Sequence, residues 1–369
     1  MTSLAVSLRA RGLVAVGLFT AAGLWAPPAS ADMKDCRDWT AACDNLRTCN
    51  AYGFDADTGG GAYLRIERGG AADAPLRITV AVNVEDGVKF ELSFDDPAIA
   101  GLPPETVAGA ASKDDDLKRL VISNPRVAGP MIDGLRKAKK LIVTRVDPPG
   151  ATPSDPAVTE ISLSGFAAAM LWIDEQQKRV GTVTAVIGRG DKPASAVPAL
   201  PAAPIITAAK AATLPKADPK KPPATVLAKA QKVCDTTERF TEAEDVTRLD
   251  ANAVMYWFPC KEMSGAYNYV YALLIAAPGK AVQVADFKLP RELGGKASDT
   301  IETNMNPTWD DTGRTLMLLS KGRGMSDCGS TSEWAWDGAA FRMISSKDMP
   351  ACKGVPTSDW PSLFRAERK

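Results

Sequence analysis

The chain has 369 residues, with 44 basic and 44 acidic side chains, seven cysteines and no histidine. The missing imidazole excludes Ser-His-Asp catalysis and histidine metal sites, and the even charge argues against a nucleic-acid partner. The length exceeds the ~250–300 residues of a single core and points to two domains.

In chain order, residues 1–31 read as a signal peptide: Arg9 and Arg11 precede an apolar run and a small-residue exit at Ala29, Ser30 and Ala31. The run falls short of the ~20 residues that span a bilayer. Cleavage near Ala31, a periplasmic or secreted location and no membrane span in the mature chain are therefore expected. The signal carries two of the 44 basic residues and no acid, so the mature chain is slightly acidic.

Residues 32–190 are expected to form an N-terminal β-rich domain. Stretches 63–67, 76–84 and 88–94 are rich in β-formers, and Asp86-Gly87 signals a hairpin that makes the last two antiparallel neighbours. Pro130 reads as a first-turn residue of a helix running to 139, with Met131, Leu135 and Ala138 on one side, before a strand at 141–146. Arg136, Lys137, Lys139 and Lys140 read as last-turn residues that complement the helix dipole. A strand at 158–163 leads into a helix capped by Ser164, with Phe166, Met170 and Ile173 on its core face. Lys178 and Arg179 suit its end, Gly181 its stop, and 183–187 a closing strand.

Residues 191–225 read as a linker, because eight prolines lie between Pro193 and Ala224 among alanines and lysines. Such a segment is a semi-rigid spacer, extended at about 3.1 Å per residue. Residues 226–369 are expected to form a disulfide-stapled β domain with strands at 253–258, 269–275, 282–287, 315–320, 333–337 and 341–344. Asp337-Gly338 marks a tight turn, with Trp334 and Trp336 on one face before it and Phe341 after it. The fold class is therefore α+β, mostly β: an antiparallel sheet with two helices, then a mainly antiparallel sandwich or barrel-like unit.

Export favours oxidised cysteines, and no CxxC is present to suggest a redox dithiol. Nearest-neighbour pairing gives Cys43 with Cys49, Cys234 with Cys260 and Cys328 with Cys352, although other connectivities remain open. In the loop-entropy model these are worth about 2, 3.5 and 3.5 kcal/mol. Cys36 is the odd cysteine; a free, partly buried thiol is favoured over an intermolecular bridge or competition for Cys43 and Cys49. Asp55 and Asp57 have the spacing of a calcium loop, but Ile66 occupies the position of its bidentate glutamate, so the segment reads as a turn. Lys321 and Arg323, in a glycine-rich loop at 321–329, are candidate binding residues together with Trp334 and Trp336. A disulfide-locked hairpin loop accounts for the same glycines. Asp310 and Asp311 beside Trp309 could pair for glycoside hydrolysis, but adjacent residues seldom converge across a sugar. No catalytic residue, metal site or cofactor is expected.

The segments CRDWTAACDNLRTCNAYGF, YLRIER, ISLSGFAAAMLWIDEQQKRVGT, PCKEMSGAYNY and SKGRGMSDCGSTSEWAWDGAAF, with the closing ACKG, resemble the bacterial family catalogued as domain of unknown function 1176. Its six cysteines correspond to Cys43, Cys49, Cys234, Cys260, Cys328 and Cys352, and Cys36 is a departure. The N-terminal unit also resembles invasion-associated locus B proteins, with a tryptophan-cysteine opening and a helix entered through Ser-Leu-x-Gly-Phe. That likeness implies an exported envelope protein acting at a host surface and supplies no catalytic residue.

The leading functional reading is a non-enzymatic cell-envelope binding or scaffolding module. Its partner would be an envelope protein or a glycan, met through Trp257, Trp309, Trp334 and Trp336. The alternatives are a cell-wall or polysaccharide hydrolase using paired carboxylates, and a host-interaction factor.

Overall fold

The computed structural model describes residues 31–55, 61–83, 89–100, 102, 110–111, 117–146, 158–213, 221–294 and 305–369. Residues 1–30 of the expected signal, Asp57 and the Asp86-Gly87 turn lie outside them. The N-terminal half contains β1 (Asp32–Cys36), β2 (Trp39–Cys43), β3 (Cys49–Phe54), β4 (Ala62–Arg68), β5 (Leu76–Asn83), β6 (Lys89–Phe94), β7 (Ala110–Ala111) and β8 (Leu117–Ile122). It continues with α1 (Pro125–Leu135), β9 (Lys140–Val146), β10 (Val158–Ser162) and α2 (Phe166–Gln176). Strands β1-β2-β3-β4-β5-β8-β7 form one antiparallel sheet and β10-β9-β6 a second.

Alternation along β4 and β5 sends Leu64, Ile66, Ile78 and Val80 to one face, where they meet Met131, Ile132, Phe166 and Met170 of the helices and Phe90 and Leu141 of the second sheet. The opposite face presents Tyr52, Phe54, Tyr63 and Ala81, which pack on Met349, Val355 and Trp360 from the C-terminal half. The larger sheet is thus covered on both sides, which is why β2 and β3 are buried at every position.

Polar groups lock the junction between the halves. Asp359, in a single 3-10 turn at Thr357–Asp359, accepts from Arg65 Nη1 at 3.1 Å, Arg119 Nε at 2.9 Å and the Tyr63 hydroxyl, while Tyr52 donates to its carbonyl. The Asn45 side chain trades two hydrogen bonds with the Arg365 backbone, and Arg365 Nε reaches the buried Asp44 at 2.6 Å. The tip of the Cys43–Cys49 loop therefore grips the C-terminal strand.

Four local readings of this half are corrected. First, β5 and β6 enter different sheets, so they are not hairpin neighbours: β5 pairs with β4 and β8, and β6 with β9. Second, α1 starts at Pro125 under an Asn124 cap, and Pro130 lies inside the helix. Third, Ser164 makes no cap bond; Gly165 caps α2 with φ of 104°. Lys178, with φ of 59°, turns the chain after α2 ahead of Gly181. Fourth, residues 183–187 form turns instead of a strand, because buried Asp174 accepts from the backbone N–H groups of Val186, Ile187 and Gly188. Arg179, with no exposed surface, holds the facing turn through the carbonyls of Gly69, Ala71 and Ala72.

The C-terminal half contains β11 (Ile205–Ile206), α3 (Ala224–Val233), β12 (Asp245–Arg248), β13 (Val254–Pro259), β14 (Tyr271–Ala276) and β15 (Gln283–Val284). It closes with β16 (Thr308–Asp310), β17 (Thr315–Lys321), β18 (Gly329–Trp336), β19 (Phe341–Met349), β20 (Ser362–Arg365) and β21 (Glu367–Arg368). Antiparallel sheets β12-β13-β14-β15 and β16-β17-β18-β19-β20 face each other across Met255, Leu273, Leu316, Trp334, Phe341 and Phe364. The outer face of the first sheet is covered by Val226 and Ala230 of α3, a helix that the Pro-Ala-Lys composition concealed. Asp337-Gly338 makes the expected turn between β18 and β19, with Gly338 at φ of 101°. Residues 282–287 shorten to the two residues of β15. Within the Pro-rich segment, Ile205 and Ile206 pair in parallel with Glu367 and Arg368, so this stretch is docked on the C-terminal strand.

The three nearest-neighbour disulfides are formed and Cys36 is free and buried. Burial pushes the Cys36 thiol up. An alkylating reagent at about pH 8 is therefore expected to label Cys36 only after denaturation; stoichiometric labelling of the folded chain would contradict its burial.

Candidate functional site

The two sheets of the C-terminal half separate at their edge strands β12 and β16, leaving a cleft of about 620 Å³. Its first wall follows from strand alternation. Asp245 pairs with Trp257 across β12 and β13, so Asp245, Thr247 and Trp257 share a face. Trp257 Nε1 donates to Thr247 Oγ1 at 3.0 Å, and the Tyr271 ring stands edge-on to the indole at 6.2 Å. The Tyr271 hydroxyl donates to Glu244 Oε1 at 2.9 Å. Burial, reinforced by Glu244, pushes that hydroxyl up to about 12, so it remains a donor at every physiological pH.

The second wall is Trp309 and the turn after β16. Trp309 is half-buried, and its Nε1 donates to Asp311 Oδ1 at 2.9 Å, which fixes the ring and carboxylate as one unit. The Arg314 guanidinium lies 5.7 Å from the Trp309 ring centroid and donates to the carbonyls of Arg248 and Leu249, tying the two walls together. Asp310 does not join Asp311 in the cleft. It accepts from the N–H groups of Thr312 and Gly313, both at 2.9 Å, and closes the turn. A Cβ at Gly313 would lie 2.3 Å from Asp310 Oδ2, so a larger residue there would displace the carboxylate that closes the turn.

The candidate binding residues read from sequence do not converge. Trp334 is fully buried and Trp336 is 5% exposed, its Nε1 donating to Asp250 Oδ2 at 2.6 Å. Both serve the core between the sheets. Lys321 and Arg323 lie at the other end of the β17–β18 hairpin from Trp334. Asn268 holds Lys321 by its backbone N–H and carbonyl, and Arg323 pairs with Asp327, which also receives the Gly354 N–H. Gly322 packs against the disulfide, since a Cβ there would sit 2.6 Å from Cys328 Sγ. Gly329 is close-packed as well, since a Cβ there would stand 2.0 Å from the Ser320 carbonyl oxygen, so two of the loop glycines have a packing explanation. Cys43, Cys49, Cys234, Cys260, Cys328 and Cys352 are all bridged. Among the described residues, no three Cys, Asp or Glu side chains group to hold a metal ion.

Trp257 and Trp309 were legible as candidate aromatics and Asp311 as a candidate acid. Glu244, Asp245 and Tyr271 carried no sequence signal, because only the pairing of β12, β13 and β14 assembles them.

Elsewhere, Asp348 on β19 is partly buried, and burial pushes its carboxyl up to about 6. A folded value above the ordinary 3.8 means that stability falls as pH rises between those values, because the folded chain must then ionise a desolvated group. Asp348→Asn is expected to match the parent near pH 4 and to exceed it by about 1 kcal/mol near pH 7.5, the modest figure reflecting partial solvent screening. Denaturant melts at the two pH values check this, and an equal effect at both would refute it.

A two-sheet sandwich fused to a helix-backed sheet, stapled by local disulfides and carrying an open cleft, defines an α+β, mostly β protein of the disulfide-stabilised class. The family described as "Protein of unknown function (DUF1176)" matches residues 33–367, and the chain belongs to it. The chain is 28% identical over 358 residues to the uncharacterized protein YpfG of Escherichia coli (strain K12), covering 92% of this chain and 94% of that protein. A solved structure, invasion associated protein B from Bartonella henselae, aligns with 40% of this chain and 99% of its own at 14% identity and a TM-score of 0.28. Among the described residues, no helix is long and apolar enough to cross a membrane.

Proposed function

We propose that the chain is exported, loses its leader near Ala31, and works in the periplasm or outside the cell as a non-enzymatic binding module of the envelope. The division into units 32–190 and 226–369, joined by 191–225, belongs to the same reading. The leader pattern and three disulfides support export. The observation that carries the binding role is the cleft between β12 and β16, where aromatic rings and carboxylates are held by hydrogen bonds to each other.

The arrangement favours binding over hydrolysis. Asp311 is engaged by Trp309, Glu244 by Tyr271 and Asp310 by its own turn, so the candidate pair at 310 and 311 does not face a common substrate bond. The test is capture from a solubilised envelope extract by the purified mature chain, with Trp309→Ala in parallel. Loss of about ten-fold of the captured ligand in the variant is expected, with an unchanged melt showing that the fold survives. Capture indifferent to Trp309→Ala would refute the cleft as the site. Release of reducing sugar from peptidoglycan, abolished by Glu244→Gln, would replace the reading with hydrolysis.

A further inference from the structure

The cleft has an imbalance of hydrogen-bonding groups that specifies what enters it. Three carboxylates line it, from Glu244, Asp245 and Asp311, against the guanidiniums of Arg248 and Arg314. Arg314 is tied to two carbonyls and to the Trp309 ring. Arg248 alternates with Thr247 along β12 and so falls on the Tyr256 face of the sheet, opposite Trp257, and its buried Nε has no hydrogen-bond partner. What remains is an excess of acceptors beside aromatic surface. One oxygen of Asp311 and one of Glu244 are occupied by aromatic donors, which orients the second oxygen of each carboxylate without using it.

We propose that the cleft binds a short neutral or amino-substituted saccharide; this rests on the binding reading above. A pyranose ring has an apolar C–H face bounded by hydroxyl donors. The Trp309–Asp311 unit offers the matching pair, an aromatic ring with a carboxylate fixed at its N–H edge. Tyr271 and Glu244 repeat the pairing of an aromatic ring and a carboxylate on the opposite wall. A volume of about 620 Å³ lies within the range of small-ligand sites and suits two or three sugar rings. Sugars bearing carboxylates are disfavoured, because they would add negative charge to a cleft lined by three carboxylates and two arginines. A lysine-rich peptide would satisfy the charge but would leave the ring-and-carboxylate pairing without a function.

Calorimetric titration of the full mature chain with chitotriose, cellotriose, trigalacturonate and a tri-lysine peptide separates these cases. Binding of chitotriose or cellotriose is expected, with little change between about 50 and about 300 mM salt, because hydroxyl donors carry no net charge to screen. Trp309→Ala is expected to weaken it about ten-fold and Asp311→Asn several-fold. Because Asp311→Asn keeps an acceptor for the indole N–H, it reports the second oxygen without disturbing the ring. Preferential binding of trigalacturonate, or of tri-lysine with an affinity that collapses in salt, would overturn the saccharide assignment. If no saccharide binds while envelope capture is still lost in Trp309→Ala, the ligand class is wrong and the binding reading stands. If capture is indifferent to Trp309→Ala, both fall.

Discussion

Replacing Asp359 by alanine is expected to lower the free energy of unfolding by about 3 kcal/mol, because it removes the shared anion from two guanidiniums that are only 17% and 14% exposed. Arg65 would keep Glu67 as a partner, but the guanidinium groups of Arg65 and Arg119 would face each other at the junction without the carboxylate between them. The Tyr63 hydroxyl would lose its acceptor as well. Lys347 adds to the strain: burial holds it below the usual lysine range, Arg65 lowers it further, and Asp359 opposes both. Urea unfolding followed by tryptophan fluorescence measures the loss. A change below about 0.5 kcal/mol would show that the two halves do not depend on this carboxylate.

The second large effect is expected at Gly165. Its φ of 104° disfavours any L side chain, and a Cβ there would stand 1.7 Å from the Cys36 carbonyl oxygen. Backbone must move to admit alanine, and the movement would disturb several contacts together. Trp39 Nε1 donates to Ser162 O at 2.9 Å, Ser162 Oγ donates to Asp38 Oδ2 at 2.6 Å, and the Phe166 ring packs edge-on against Trp39 at 5.2 Å. Gly165→Ala is expected to cost 3 kcal/mol or more, about the sum of positive-φ strain and a core clash. Ser164→Ala, at a residue that makes no side-chain cap bond, should stay within about 0.5 kcal/mol. Thermal melts of the two variants, read by near-ultraviolet circular dichroism, distinguish them; equal melting points would refute the account.

Those contacts also give the Ser-Leu-x-Gly-Phe sequence a physical meaning. The serine offers a carbonyl to the buried indole, the glycine lets helix α2 start against the β1–β2 turn, and the phenylalanine covers the same indole. Gly53 completes the niche, since a Cβ there would meet the Trp39 ring at 2.5 Å.

How much of this was legible follows from where the information lies along the chain. The disulfides could be paired because each partner is local, with separations of 6, 26 and 24 residues. The β18–β19 hairpin could be read because its turn residues and its strands agree. Asp86-Gly87 misled because a turn signal reports a local bend, and the strands on either side then join different sheets. Strands β2 and β3 were missed because a sheet buried on both faces has no polar phase. Trp334 and Trp336 looked like binding residues because sequence cannot distinguish an aromatic that faces a second sheet from one that faces solvent. The cleft escaped for a related reason: Glu244, Tyr271 and Trp309 meet only after two sheets have formed.

The face of the N-terminal sheet that carries Tyr52, Phe54 and Tyr63 is closed by Met349, Val355 and Trp360, close to the end of the chain. During synthesis, which proceeds from the amino end, this greasy face must wait uncovered until residues 349–360 emerge. A nascent chain halted before Trp360 would have an otherwise finished sheet and nothing to shield it, making it a natural client for chaperones and a target for quality-control proteases.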